Sequence, residues 1–333
     1  MRRREFTLCL LLPTAVGTVR AEALTRQHRI AIISTRPVVQ IDDPTIPIFR
    51  AFFEELRRLG DVEGPNLTIE RYYNGGRPAG YPDLARAVVA RNPEVIIALG
   101  TPMTQAVRAA TGTIPIVWIG GDPIGEGLAT SLARPGGNVT GVTVDTGIEL
   151  SGKRLQMLKE AVPSASQVAL VGLHTSWEGA GQQRRREELG MGRRLGISLI
   201  GMPVQESTPS EFQRVFAELA RARPDAIVVP GTGELRPYRQ LIVELVEKSH
   251  LPAIYGSRDY VEVGGLMSYE FDQGELGRRM ADDVHEILNG TKPGDIPIYQ
   301  PTQFELLINL KAAKALGLTI PPALLATADE VIE

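Results

Sequence analysis

The sequence predicts an α/β protein of two similar lobes, each a doubly wound parallel sheet, with a ligand cleft between them. The main evidence is an internal repeat: Pro93–Thr101 (PEVIIALGT) is matched 131 residues later by Pro224–Thr232 (PDAIVVPGT). A second matched pair follows in the same order, Ile114–Gly120 (IPIVWIG) and Leu251–Gly256 (LPAIYG). Short apolar runs of this kind are typical of strands buried on both faces of a parallel sheet.

Strand and helix patterns alternate along the chain, which favours parallel sheets covered by helices. The predicted strands are 29–35, 66–73, 94–99, 114–119, 139–144, 167–173, 197–204, 226–229, 253–255, 264–269 and 298–306. The predicted helices are 48–60, 81–91, 102–110, 150–161, 178–195, 209–222, 235–249, 273–288, 309–316 and a short one ending near Ala133. Thr101 is the predicted N-cap of the helix that begins at Pro102.

The first 23 residues have the features of an export signal. Arg2, Arg3 and Arg4 form a basic start, an apolar stretch follows, and small residues near Ala21 and Ala23 suit cleavage. The start also resembles a twin-arginine motif, so general and twin-arginine export both stay open. The one cysteine, Cys9, precedes most of the apolar stretch, which argues against a lipid anchor. We therefore expect a mature protein without thiols, located in the periplasm.

We expect the first lobe to comprise residues 24–145 and about 270–300, and the second to comprise 146–269 and part of the tail at 300–333. The strand at 264–269 is predicted to return toward the first lobe. Several crossings between lobes would suit a hinge. The net charge of −3 gives no electrostatic reason to expect nucleic-acid binding, and we expect a monomer.

Motifs for nucleotide, metal or catalytic sites are missing from the sequence. The loop Gly120–Gly127 is rich in glycine but lacks GxGxxG, and neither GxxxxGK[ST] nor GxSxG occurs. The four histidines do not have metal-ligand spacing. Asp122 and Asp259 could form a carboxylate pair, but chance supplies such pairs among 39 acidic residues. We therefore expect no cofactor, no metal and no catalytic residue.

Small polar residues follow the predicted strands, and ligands of open α/β sheets bind beyond the carboxyl ends of the strands. Thr35, Thr101 and Thr232 each lie at or just past a strand end, close to the start of a helix. Free amide groups and the positive end of the helix dipole suit a carboxylate there. His174 is the histidine at a predicted strand end.

Two aromatic residues and two carboxylates extend this candidate site. Trp177 and Tyr269 could each stack on a flat ligand or could equally be packing residues. Asp122 or Asp259 could hold an amine or a hydroxyl group of the ligand.

Several longer runs resemble one protein family. They are 120–123 (GGDP), 131–141 (SLARPGGNVTG), 252–255 (PAIY), 264–269 (GGLMSY) and 304–318 (FELLINLKAAKALGL). Through them the chain resembles bacterial ABC transporter substrate-binding proteins, and it is similar to periplasmic binding proteins of the tryptophan/tyrosine type. The resemblance covers nearly the whole chain.

The resemblance implies a type I periplasmic-binding fold, with lobes joined by a multi-strand hinge, and no catalysis. It implies capture of a small organic solute, an amino acid or another carboxylate-bearing and in some cases aromatic compound, for a membrane permease with its ATPase. A secreted α/β enzyme and a ligand-sensing receptor for a signalling partner are the alternatives. With the strand-end argument, the candidate ligand-binding residues are Ser34, Thr35, Gly100, Thr101, Gly120, Asp122, His174, Trp177, Gly231, Thr232, Ser257, Asp259 and Tyr269.

Overall fold

The structure is a computed structural model that describes residues 27–34, 37–144, 147–177, 180–232 and 234–333. Its strands are β1 (His28–Ser34), β2 (Leu67–Tyr73), β3 (Val95–Leu99), β4 (Ile116–Gly120), β5 (Val139–Thr143), β6 (Gln167–Leu173), β7 (Ser198–Val204), β8 (Ala226–Val229), β9 (Ala253–Tyr255), β10 (Met267–Phe271), β11 (Phe304–Asn309) and β12 (Glu330–Ile332). Its α-helices are α1 (Val38–Ile41), α2 (Pro47–Leu59), α3 (Tyr81–Ala90), α4 (Thr101–Ala110), α5 (Glu149–Ala161), α6 (Ala180–Arg194), α7 (Pro209–Ala222), α8 (Arg239–Lys248), α9 (Arg258–Glu262), α10 (Gln273–Leu288), α11 (Leu310–Ala315) and α12 (Pro322–Leu325). The predicted export signal and Thr35 lie outside the described residues.

The chain divides into two compact units. Unit 1 consists of the described residues up to Ile119, Pro123–Gly141 and Gly277–Ile298. Unit 2 consists of Gly120–Asp122, Val142–Leu276 and Tyr299–Glu333. Across the described ranges, no helix combines the length and the apolar character needed to cross a membrane.

The first sheet has the strand order β2-β1-β3-β4-β5, and the first four of these strands are parallel to one another. Every residue of β3 is buried, as its apolar run predicts. Val88 of α3 and Val107 of α4 pack with Ile96 and Trp118 in one core cluster. Helices therefore cover the apolar strands of this sheet.

The second sheet has the order β12-β11-β10-β9-β8-β6-β7. The strands from β10 to β7 are parallel, whereas β11 runs antiparallel to β10. Consecutive residues of β9 belong to different core clusters, because side chains alternate between the faces of a sheet. Ile254 packs with Leu158 of α5, and Tyr255 packs with Phe212 of α7. Both faces of this sheet are thus covered by apolar side chains.

Helix α7 shows how local sequence sets the bounds of an element. Thr208 Oγ1 accepts a hydrogen bond from the Glu211 amide at 3.4 Å, and the Glu211 carboxylate accepts one from the Gln205 amide at 2.8 Å. The first bond satisfies an amide group that the first turn of a helix leaves unpaired, and the second ties that turn to the preceding segment. The buried residues between Phe212 and Leu219 recur at helical spacing, so one stripe of the helix faces the core.

The predicted short helix ending near Ala133 is wrong. Residues 121–138 form turns and bends. The Leu128 amide donates to the Pro123 carbonyl at 2.8 Å, and Thr130 Oγ1 donates to the Arg134 carbonyl at 3.1 Å. Local bonds of this kind compete with helical ones, which explains the loop.

Two further expectations are corrected. The N-cap of α4 is Gly100, with a φ of 94°, and Thr101 is the first helical residue. Glycine adopts a positive φ without the steric penalty that a side chain brings, which explains the one-residue difference. The strand predicted to return toward the first lobe is β10, and it pairs with β9 and β11 inside the second sheet.

Gly141 of β5 gives a test of the packing in unit 1. Its φ is +132°, and a Cβ atom there would lie 2.0 Å from the Trp118 carbonyl oxygen. We expect Gly141→Ala to lower the free energy of unfolding by about 1–3 kcal/mol, because two backbones would have to separate. Gly112→Ala is the control, since nothing lies within 4 Å of its Cβ position. Urea unfolding measures both variants, and equal midpoints would contradict this packing.

Candidate functional site

Three parallel strands of unit 2 end side by side. They are β6, β8 and β9, which end at Leu173, Val229 and Tyr255. The carboxyl ends of neighbouring parallel strands meet at one edge of a sheet, where α/β proteins bind their ligands. The predicted site residues within three positions of these strand ends are His174, Gly231, Thr232 and Ser257.

Polar atoms at this edge are buried without hydrogen bonds. His174 Nδ1, Thr232 Oγ1 and Ser257 Oγ are each shielded from solvent and have no partner among the described residues. Ser257 precedes α9, yet its side chain does not cap that helix. Buried polar groups in folded proteins nearly always have a partner. Thirteen buried side-chain atoms of the described residues have no hydrogen-bond partner, and three of them lie at this one sheet edge, which makes the edge the candidate site.

Two glycines bring the loops after β8 and β9 into backbone contact. A Cβ atom on Gly231 would lie 2.1 Å from the Gly256 carbonyl oxygen, and one on Gly256 would lie 2.2 Å from the Gly231 nitrogen. Neither position therefore has room for a side chain. Thr232 and Ser257, each one residue further along, consequently lie on loops that touch.

Asp259 forms an ion pair within unit 2. Arg236 Nε donates to Asp259 Oδ2 at 2.9 Å, and a second guanidinium nitrogen donates to the same oxygen. Both side chains are about four-fifths buried, with 18% and 19% of their surface exposed. The charge of Asp259 is thus already paired within the protein. The structure therefore does not favour the predicted contact between Asp259 and a ligand amine.

A buried carboxyl group near this edge escaped the sequence analysis. Glu270 of β10 is 2% exposed, and it accepts hydrogen bonds from the Arg258 amide and from Gln273 Nε2. Burial raises the pKa of Glu270 to about 7, although the Arg258 amide and the charge of Arg236 act in the opposite direction. A charged residue inside an otherwise buried strand was the signal that could have found it.

Trp177 is packed inside unit 2. The Arg185 guanidinium lies over its ring, 3.8 Å from the ring centroid. The ring also fills the space beside Gly201, where a Cβ atom would come within 2.3 Å of it. These contacts favour packing over the predicted stacking on a ligand.

Tyr269 also packs within its unit. Its ring stacks on that of Phe304 at a centroid distance of 5.7 Å and contacts the core cluster that contains Leu158. Both rings line a cavity of about 470 Å³ together with Lys153 and other residues of α5 and the C-terminal segment. Among the described residues predicted for the site, Tyr269 alone lines this cavity. Its environment thus differs from that of the other predicted residues.

The remaining predicted residues lie at the ends of β1, β3 and β4. Ser34 ends β1 and is fully buried. Gly100 and Thr101 begin α4, and no side chain caps this helix. The Gly100 amide donates to the Ile119 carbonyl at 2.9 Å, whereas the Thr101 amide is not used by a side-chain cap and suits an anion. Gly120 ends β4, and Asp122 is exposed in the loop that follows.

Metal coordination finds no support in this arrangement. Within the part of the chain that the structure describes, no group of three or more His, Cys, Asp or Glu residues could hold a metal ion.

Glu270 should link stability to pH. Its pKa rises from 4.5 to about 7 on folding, so the folded protein binds this proton more tightly than the unfolded chain. The stabilisation from Glu270 is complete below about pH 4.5 and is lost as the pH rises through about 7. Between pH 5 and 8 we expect the free energy of unfolding to fall by about 2–3 kcal/mol relative to Glu270→Gln.

Urea unfolding at a series of pH values measures this difference. Glu206→Gln is the matched control, because Glu206 is exposed. A constant difference between wild type and Glu270→Gln across the series would contradict the burial of this carboxyl group.

Comparison with known proteins gives consistent matches. A family model described as ABC transporter substrate binding protein matches residues 43–332. A tyrosine-binding protein of Clostridioides difficile (strain R20291) is 25% identical over 270 residues, which are 81% of this chain and 76% of that protein.

Solved structures extend the comparison to the fold. A conserved domain protein from Vibrio cholerae has a TM-score of 0.80 at 28% identity, covering 92% of this chain and all of that chain. An ABC domain from Streptococcus pneumoniae in complex with L-Trp has a TM-score of 0.80 at 24% identity, with 92% and 100% coverage. The matches confirm the resemblance seen in the sequence and the expected type I periplasmic-binding fold.

Proposed function

Because the chain belongs to the family of ABC transporter substrate-binding proteins, we propose that it captures an aromatic amino acid and delivers it to a membrane permease with its ATPase. Two relatives support this class of ligand: one is named for tyrosine, and the other holds L-Trp. In this chain the proposal depends on the unpartnered His174, Thr232 and Ser257 at one sheet edge. We also propose export to the periplasm by residues 1–23, and action there as a monomer.

The polar atoms of unit 2 match the two charges of an amino acid. A hydroxyl group can donate to a carboxylate and accept from an ammonium group, so Thr232 and Ser257 can serve either. His174 Nδ1 can do the same, depending on its tautomer. Thr101 adds a backbone amide group at the start of α4, where the helix dipole favours negative charge, whereas the Gly100 amide donates to the Ile119 carbonyl.

We propose that the ligand binds strand-end loops of both units and so selects a closed form over an open one. No catalytic step is included in this proposal. Asp259 and Glu270, two carboxyl groups near the edge in unit 2, each have hydrogen-bond donors of their own.

The ligand class can be tested with the wild-type protein from residue 24 onward. After unfolding and refolding to remove bound ligand, it is titrated calorimetrically with L-tryptophan, L-tyrosine and L-phenylalanine, and with L-alanine and glucose as controls. We expect selective binding of aromatic amino acids. Ligand at 100 times Kd should add about 2.7 kcal/mol of stability, a rise of several degrees in Tm. If no amino acid binds to the refolded protein, the proposed function is wrong.

Thr232→Val tests the site. Valine keeps the size of the side chain but lacks Oγ1, so a hydrogen bond of about 1–1.5 kcal/mol should be lost. We expect about five- to tenfold weaker binding of the aromatic amino acid, measured by calorimetry. Thr319→Val is the matched control, because Thr319 is exposed elsewhere in unit 2. Unchanged affinity of a folded Thr232 variant would remove this residue from the site.

A further inference from the structure

Arg154 of α5 has no ion pair with any residue that the structure describes. Its Nε donates to the Tyr269 carbonyl oxygen at 2.7 Å. Among the described residues, no carboxylate lies within ion-pairing distance of its guanidinium group. The two Nη nitrogens are not among the buried atoms that lack a hydrogen-bond partner. Arg185, Arg236 and Arg258 of the same unit each pair with a carboxylate. Arg154 therefore keeps donors that a ligand can reach.

The nearby carboxylates have other partners. Glu270 accepts hydrogen bonds from a backbone amide and a side-chain amide, and Glu188 accepts them from a hydroxyl group and another guanidinium. The carboxylates of Glu270 and Glu188 attract the Arg154 charge only at longer range, and the positive charge of Arg184 partly offsets this attraction. Burial lowers the pKa of Arg154 to about 10, so the side chain stays charged at neutral pH. The result is a partly buried positive charge that no described carboxylate neutralises by contact.

The position of Arg154 connects it with the strand edge. Its hydrogen bond holds the guanidinium group beside Tyr269. Tyr269 lies near the end of β10, two residues before Phe271, the last residue of that strand. Strand β10 pairs in parallel with β9, and the loop after β9 carries Ser257. Because parallel strands end at a common edge, Arg154 and Ser257 serve the same edge of unit 2.

We propose that Arg154 is the anchor for the carboxylate of the bound amino acid, an inference that rests on the proposed function. The two Nη nitrogens form a fork that matches the two oxygens of a carboxylate. The Nε bond to Tyr269 orients this fork before the ligand arrives, which reduces the entropy lost on binding. The start of α4 carries about half a unit charge, whereas a guanidinium carries a full one, so Arg154 is the stronger anchor.

Two substitutions and one ligand analogue test this inference. Arg154→Met keeps a long side chain without charge, and Arg154→Lys keeps the charge without the fork. We expect Arg154→Met to bind L-tryptophan about 10- to 100-fold more weakly than wild type, with Arg154→Lys in between. L-Tryptophanamide has no carboxylate, so its affinity should be nearly equal in wild type and Arg154→Met. Calorimetry measures L-tryptophan, and ligand-observed NMR measures the weaker amide.

Arg193→Met, an exposed arginine on α6, is the control and should bind L-tryptophan as wild type does. Equal losses for L-tryptophan and its amide in Arg154→Met would overturn the inference, since they would indicate structural damage. Wild-type affinity for L-tryptophan in Arg154→Met would also overturn it, while the proposed function would stand. If wild type itself binds no aromatic amino acid, the proposed function fails, and the inference fails with it.

Discussion

Parallel pairing of short, fully buried strands is the constraint on which the rest of this structure depends. All residues of β3 and of β8 are buried, so helices must cover both faces of each sheet. The pairing of Val228 with Ile254 then brings the following loops together at one edge. Backbone contact between Gly231 and Gly256 is a direct result. The positions of Thr232 and Ser257 are therefore consequences of the core.

The polar groups at this edge fall into two classes. Asp259 and Glu270 have donors within the protein, and they are parts of the scaffold. The side chains of His174, Thr232 and Ser257 each bury an atom that has no described partner. An unsatisfied buried group destabilises a protein by about 1–3 kcal/mol, an amount that hydrogen bonds to a ligand can recover. In the proposed function, binding energy at this edge comes from groups that folding leaves unpaired.

Sequence periodicity was a good guide to the elements and a poor one to the contacts of single side chains. The buried runs and the amphipathic helices are local patterns, and nearly all of them form the predicted strands and helices. The loop at 121–138 was mistaken for a helix because side-chain bonds such as that of Thr130 are not visible in periodicity. Trp177 and Tyr269 were open choices, because their neighbours Arg185 and Phe304 come from other elements.

The sequence by itself determined the α/β class, the repeated strand pattern, the family and the small polar residues at the strand ends. These are properties of short segments, where burial and turn chemistry act over a few residues. Only the tertiary structure decided which polar groups have partners. Asp259 is satisfied by Arg236, and Arg154 is held by Tyr269, which is 115 residues away in the chain. Hydrogen bonds and ion pairs act across space, so the free donors and acceptors are known only once the chain is folded.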